Sequence, residues 1–317
     1  MSVAPADKDD GITYISQSRL IALQGDARAL KRHKPVIRSR MNGNYLSSFK
    51  GRGMEFDEAR PYQPGDDIRN MDWRVTARTN KPHSKVFREE RERPVLLWVD
   101  FRAPMFFGTR QCFKSVLAAR VAALLGWKAS QQGDRLGALL FSQDRHLELR
   151  PGRGKTATLH VIKQLSEFSV DTSDADHQAH ANGQDAAHAL NRLVQVARPG
   201  SLIYMISDFR HIPGQFESAL NRLSRHNELV MIHISDPLES ELPESGVYRV
   251  TDGETEAQIN TSAAHSRSHY HHRFTSLRSY LQALCLRNRI RYLPLSTAQQ
   301  MLAGLQEIPG SYTGGTR

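Results

Sequence analysis

Cysteine is nearly absent from this chain, with only Cys112 and Cys285 in 317 residues. Two such residues cannot build a disulfide framework. Each falls in an apolar helical pattern, which fits reduced core thiols in a reducing compartment. Long apolar runs are missing as well. Nothing approaches the roughly 18 consecutive apolar residues that a membrane span needs, and the amino terminus, MSVAPADKDDGITYIS, is acidic and lacks an apolar signal core. A cytoplasmic protein is expected, neither membrane-spanning nor secreted by that route. No internal repeat, low-complexity tract, G-x-S-x-G elbow, H-E-x-x-H helix or paired C-x-x-C occurs, so the usual hydrolase and zinc signatures are lacking. Acid is in deficit, with 43 Lys and Arg against 33 Asp and Glu and a net charge of +10. That balance favours an acidic partner, whether nucleic acid, an anionic membrane surface touched peripherally, or an acidic protein face. The excess is scattered rather than blocked, which argues against nucleic acid.

The 39% hydrophobic content is enough for a real core. Residues 1 to about 14 read as a loose tail, Ser18 to Leu30 as a short helix, and Lys31 to Lys34 with Arg38 and Arg40 as a solvated basic linker or a docking patch for an acidic or anionic surface. Gly51 to Glu92 is dense in acids and bases and punctuated by Pro and Gly, so it should lie on a surface, held by ion pairs and turns. From Val95 onward strands and helices alternate. Strands are expected at 95–100, 136–141, 146–150, 201–207, 228–234 and 290–293, with helices near 110–131, 155–168, 185–197, 213–225, 264–289 and 297–307. This alternation predicts an α/β fold: a doubly wound, mainly parallel sheet with helices on both faces.

Three patterns invite chemistry. Gly152-Arg153-Gly154-Lys155-Thr156 looks like a phosphate loop, but the first glycine of G-x-x-x-x-G-K-[ST] would fall on Leu149, so a basic hairpin-to-helix turn fits better. His265 and His269 share a helical face, with His271 and His272 beside them and no adjacent acid, which reads as a solvated surface. Acids close three strands: Asp100, Asp208 and Asp236. Asp100 and Asp208 would face each other if their strands are neighbours, and such a pair attracts a hard divalent cation when further oxygen ligands are at hand.

The run Gly53-Met54-Glu55-Phe56, Glu58, Arg60-Pro61-Tyr62, Pro64-Gly65-Asp66-Asp67-Ile68-Arg69, Met71-Asp72-Trp73-Arg74, Ala77-Arg78, then Phe87 and Glu89-Glu90-Arg91, closely resembles the signature of the bacterial family catalogued as domain of unknown function fifty-eight. Gly133-Asp134-Arg135, Ile206-Ser207-Asp208-Phe209 and Asp236-Pro237-Leu238-Glu239 continue the match in order, over about residues 40 to 307. The resemblance implies a von Willebrand factor type A-like domain, and work beside a MoxR-type AAA+ ATPase as an accessory factor in maturing or assembling client proteins. That fold carries a metal-ion-dependent adhesion site built on an Asp-x-Ser-x-Ser turn, a Thr and a further Asp. In this chain the turn reads Asp100-Phe101-Arg102-Ala103-Pro104, so Arg102 and Pro104 replace both hydroxyls. Gln184 stands at the position aligned with the Thr, and Asp208 fits the last position. Losing the hydroxyl ligands leaves mostly water to hold a magnesium ion. A guanidinium about 4 Å from a carboxylate gains on the order of 4 kcal/mol at an effective dielectric of about 20, before desolvation. Arg102 is therefore expected to replace the cation and neutralise Asp100 and Asp208, with no metal and no cofactor; the competing reading is that Arg102 points to solvent and the acids are hydrated.

The expected organisation is a tail and short helix over 1–30, a family-specific polar segment over 31–93, a von Willebrand factor type A-like domain over 94–309 and a tail over 310–317. The expected function is non-enzymatic protein–protein interaction. The candidate contact surface is Glu55, Arg60, Tyr62, Asp66, Asp67, Arg69, Asp72, Trp73, Arg74 and Arg78, with Tyr62 and Trp73 as aromatic anchors. The same residues could instead form an internal network that clamps the segment onto the domain. Two further readings compete. One is a metal-dependent hydrolase acting through Asp100 and Asp208, which requires divalent dependence. The other is a nucleic-acid binder using Arg38, Arg40, Lys50 and Arg52, which requires steep salt dependence.

Overall fold

The computed structural model describes residues 10–30, 54–89, 93–143, 145–170, 184–212, 214–243, 246–251, 256–262 and 264–306. The basic residues Lys31 to Lys34, Arg38, Arg40, Lys50 and Arg52, the pair Glu90-Arg91 and the stretch 171–183 lie outside them. The chain divides into two units, one of residues 37–92 and one made of 1–36 together with 93–317.

The described part begins with the short helix α1 (Gln17–Ala22), where the Ser16 hydroxyl accepts the Arg19 N–H at the amino end. In the small unit, β1 (Met54–Pro61) and β2 (His83–Glu89) pair antiparallel and carry α2 (Trp73–Thr79) in their connection. The expected surface segment is thus a hairpin with a helix in it. Its strands are hard to read because a bulge between Phe56 and Glu58 breaks the period-two alternation. The acids of the connection serve local turns. Asp66 accepts from the Arg60 guanidinium at 2.6 Å and from Gln63 N–H, while Asp67 accepts the Arg69 N–H that opens the turn Ile68–Asn70. Asp72 caps α2 by accepting the Arg74 and Val75 N–H groups, and Asn80 closes that helix in the left-handed region at φ 53°.

The large unit is built on β3 (Pro94–Asp100), followed by α3 (Lys114–Gln131), β4 (Arg135–Phe141), β5 (His146–Arg153), α4 (Gly154–Phe168), α5 (Gln184–Val196), β6 (Leu202–Ser207), α6 (Phe216–His226) and β7 (Glu228–Ser235). Then come the single-turn helix α7 (Pro237–Ser240), a separate hairpin of β8 (Val247–Thr251) and β9 (Glu256–Asn260), and α8 (Ala264–Arg287), β10 (Arg291–Ser296) and α9 (Met301–Gln306). The main sheet has the order β10-β7-β6-β3-β4-β5, parallel throughout except for the antiparallel edge pair β4–β5. Side chains of β3 alternate between two cores. Val95, Leu97 and Val99 meet α3 and α4 on one face, and Leu96 and Trp98 meet α5, α6 and α8 on the other. Burial on both faces is why these strands read as continuous apolar runs.

Of the 18 residues of α3, 14 are buried, so this helix must be covered on nearly all sides. The cover is the amino-terminal piece. Ile15, Leu20, Ala27 and Leu30 join the same core, Trp127 Nε1 donates to Leu20 O at 3.1 Å, and Arg120 donates to Gly11 O at 2.7 Å. Residues 10–30 therefore belong with the sheet unit rather than forming a separate extension. Cys112 is buried but precedes α3 instead of lying in it, and Cys285 is buried within α8. β5 runs straight into α4 at Gly154, whose φ of +71° makes the hairpin-to-helix turn that the glycine pattern predicts.

Candidate functional site

Between β3 and β6 the sheet changes direction of winding, because β3 leads across to β4 on one side while β6 leads to β7 on the other. In open α/β sheets the crevice outside the carboxyl ends of two such strands is where sites form. Asp100 ends β3, and Ser207 and Asp208 lie at the end of β6, its paired neighbour. The strand-end acids singled out above are thus brought together.

Both Asp100 oxygens are fully engaged, and the residue is 0% exposed. Oδ1 accepts the Arg102 backbone N–H and Nε, each at 3.0 Å, and Oδ2 accepts Arg102 Nη2 and the Ser207 hydroxyl, each at 2.7 Å. Arg102, 2% exposed, turns inward over the Phe141 ring and also donates Nη2 to Arg210 O. This is the internal cation the Asp-x-Arg turn predicts, and the fork geometry makes the pair bidentate. Pro104 sits half-buried in the following turn, Ala103–Met105, and Gln184 is the first residue of α5.

Asp208 differs from the expectation, since its principal cation is Lys114, not Arg102. Lys114 Nζ, at 0% exposure, lies 2.8 Å from Asp208 Oδ2 and 2.5 Å from Glu239 Oε1. Arg210, 39% exposed, reaches Glu239 Oε1 at 3.1 Å, and its backbone N–H donates to Asp208 Oδ1. Burial works against the Asp208 charge, but the Lys114 ammonium and the Arg210 N–H outweigh it and hold the carboxyl down at about 2. Asp100, Asp208 and Glu239 are thus each met by a cation of the chain, Arg102, Lys114 or Arg210.

Asp236, the third strand-end acid, is a structural cap. It accepts from Thr109 N–H and hydroxyl, the Thr297 hydroxyl and Leu238 N–H, and it forms a capping box with Glu239, whose Oε2 accepts Asp236 N–H. His233 lies 3% exposed on β7 with Nδ1 2.6 Å from the Tyr292 hydroxyl, and burial pushes its pKa down to about 4. Lys114 and Glu239 were missed as site residues by sequence reasoning. A signal existed for each. A lysine at the first position of an apolar helix opposes the helix dipole and needs a nearby anion, and Asp236-Pro237-Leu238-Glu239 is a capping-box pattern.

These residues do not fit a divalent cation. Asp100 has no free oxygen facing the crevice, and the point between Asp208 and Glu239 is taken by an ammonium. Among the described residues no group of three or more His, Cys, Asp and Glu has the arrangement to hold a metal ion. His265, His269 and His272 are exposed on α8, and His271 meets Ser240 O at 2.9 Å.

The second candidate surface lies on the small unit. Trp73 is 67% exposed and Ile68 62%. Arg69, Arg74 and Arg78 in the same segment are also exposed, without an ion-pair partner among the described residues. Tyr62 is half-buried, Arg60, Asp66, Asp67 and Asp72 are consumed in the turns above, and Glu55 lies in β1 opposite Arg88.

Comparison with known proteins identifies the family. The chain is 33% identical over 216 residues to the uncharacterized proteins Rv1480 of Mycobacterium tuberculosis and Mb1516 of Mycobacterium bovis, covering 68% of this chain and 65% of each relative. Among solved structures it is similar to the conserved hypothetical protein BatB from Bacteroides thetaiotaomicron, at 13% identity and a TM-score of 0.41, over 68% of this chain and 96% of that one. It is also similar to an aerotolerance-related membrane protein from Bacteroides fragilis, at 15% identity and a TM-score of 0.43, with the same coverage of both chains. Residues 58–280 match the family model described as protein of unknown function DUF58. By that match, which spans most of the sheet and more than half of the small unit, the chain belongs to the DUF58 family.

Proposed function

We propose that the protein is a non-enzymatic interaction factor that works with a MoxR-type AAA+ ATPase in maturing or assembling client proteins. Its large unit is read as a von Willebrand factor type A-like domain whose metal-ion-dependent adhesion site has been converted to internal ion pairs. Support for the domain reading comes from the strand order and from Asp100 and Asp208 lying side by side at the point where the winding reverses. Support for interaction rather than catalysis comes from the strand-end carboxylates, each already engaged by cations, N–H groups or hydroxyls of the chain.

The observation that carries the proposal is Trp73. A large aromatic left 67% exposed on a seven-residue helix, in a segment that also exposes Ile68, Arg69, Arg74 and Arg78, has the composition of an interface hot spot. The helix does not need that side chain for its own stability, because Asp72 supplies the cap. The arginines favour a partner with an acidic face.

The test is a pull-down from the native cell with and without ATP, comparing wild type with Trp73→Ala and Ile68→Ser. Wild type is expected to bring down an AAA+ ATPase. Either variant should lose it while unfolding at the same temperature, since surface changes of this kind stay within about 0.5 kcal/mol. Undiminished capture by Trp73→Ala would sink the proposed surface. Replacing Asp66 and Asp67 is less informative, because both hold the turn that positions the helix.

A further inference from the structure

Lys114 stands where a cation is least welcome. It is fully buried at the first position of α3, beside helix N–H groups that favour negative charge. Burying an unpaired ammonium there would be prohibitive. Its Nζ is instead the meeting point of two carboxylate oxygens from two loops, Asp208 Oδ2 at 2.8 Å and Glu239 Oε1 at 2.5 Å. Calcium takes carboxylate oxygens at about 2.3–2.6 Å, so the two acids converge on one point at nearly the spacing a divalent ion would use. One strand away, Arg102 closes both oxygens of Asp100 in the same fashion. Arg210 adds a second cation to Glu239 nearer the surface. An added divalent ion could reach Asp208 and Glu239 together only by displacing the Lys114 ammonium that lies between them.

We infer that Lys114 and Arg102 are built-in counterions: the chain supplies from its own side chains the positive charge that a bound divalent cation would bring, and Lys114 is the group that keeps such an ion out. This end of the sheet is therefore assembled, and offered to any partner, independently of metal. The inference rests on the ion-pair geometry alone and holds whichever partner the protein serves, so its failure and that of the interaction proposal are separable.

The experiment titrates calcium and manganese chloride into full-length protein stripped with EDTA, read by calorimetry and by thermal unfolding. Wild type is expected to show no saturable heat and no change in Tm. Lys114→Ala vacates the Nζ position and leaves Asp208 and Glu239 facing each other. Its Tm should fall in EDTA and recover by about 5 °C with ion about a hundredfold above Kd, with saturable binding that Asp208→Asn removes. Lys114→Met loses the charge but fills the space, and should show no recovery. Saturable divalent binding by wild type, abolished in Asp208→Asn, would overturn the inference, as would a folded Lys114→Ala that takes no ion. If Lys114→Ala folds only when refolded with calcium or manganese, that supports the inference. If neither ion rescues it while Lys114→Met folds, the inference fails. If neither variant folds, the wild-type titration decides, silence supporting the inference and binding overturning it.

Discussion

Asp100 and Arg102 bury a full charge pair at 0% and 2% exposure, two residues apart in sequence. Removing one partner of such a pair strands the other, typically at about 3–5 kcal/mol, whereas removing both is far milder. Arg102→Met should therefore destabilise the large unit by that order in urea unfolding. Arg102→Lys should rescue little because it lacks the bidentate fork. The double change Asp100→Asn with Arg102→Met should be less destabilising than the Arg102 change alone. Acid stability follows from the same residues. Asp208 has a folded pKa of about 2 against an ordinary value of 3.8, so its contribution is complete above pH 3.8 and is lost as pH falls toward 2. His233, lowered from 6.5 to about 4, adds an earlier loss as pH drops between those values, because the unfolded chain takes up the proton first. Unfolding free energy measured from pH 8 to 2 should thus decline in two steps. Asp208→Asn should flatten the lower step, worth on the order of 2 kcal/mol, and His233→Gln the upper one.

At the scale of elements, caps decide where the small helices stand. Asp72→Ala removes the acceptor for two N–H groups of α2 and should cost about 1 kcal/mol. Hydrogen exchange at Arg74 and Val75 should accelerate, with exchange in β3 unchanged. The elements most legible in the sequence were those whose pattern is local. Strands β3, β6 and β7 stand out as apolar runs, α4 and α6 keep their helical period, and the acid at each strand end marks the crevice. Asp100 with Arg102 was readable because the partners are two residues apart. Lys114 was not, since its acids lie 94 and 125 residues away and nothing in a one-dimensional pattern joins them. β1 was hidden by its bulge, and the place of residues 10–30 by the all-round burial of α3, which no helical period reports.

At the scale of the whole molecule, the amino-terminal piece is part of the large unit's core. Leu20 is fully buried and the backbone around it holds Trp127 and Arg120. Leu20→Ala should cost about 2–5 kcal/mol, and deleting residues 1–30 should lower the melting temperature of the sheet by much more than trimming a loose end would. The small unit is an insertion, leaving the large unit near Val36 and returning at Arg93. A pull on Trp73 would therefore reach the large unit by two routes at once. One ends at β3, a central strand hydrogen-bonded to neighbours on both sides, which resists force along its length. The other ends at residues 10–30, a strap with one six-residue helix that can be peeled off α3 a contact at a time. Load on the small unit would be relieved first at that strap, exposing α3 while the central strand stays paired.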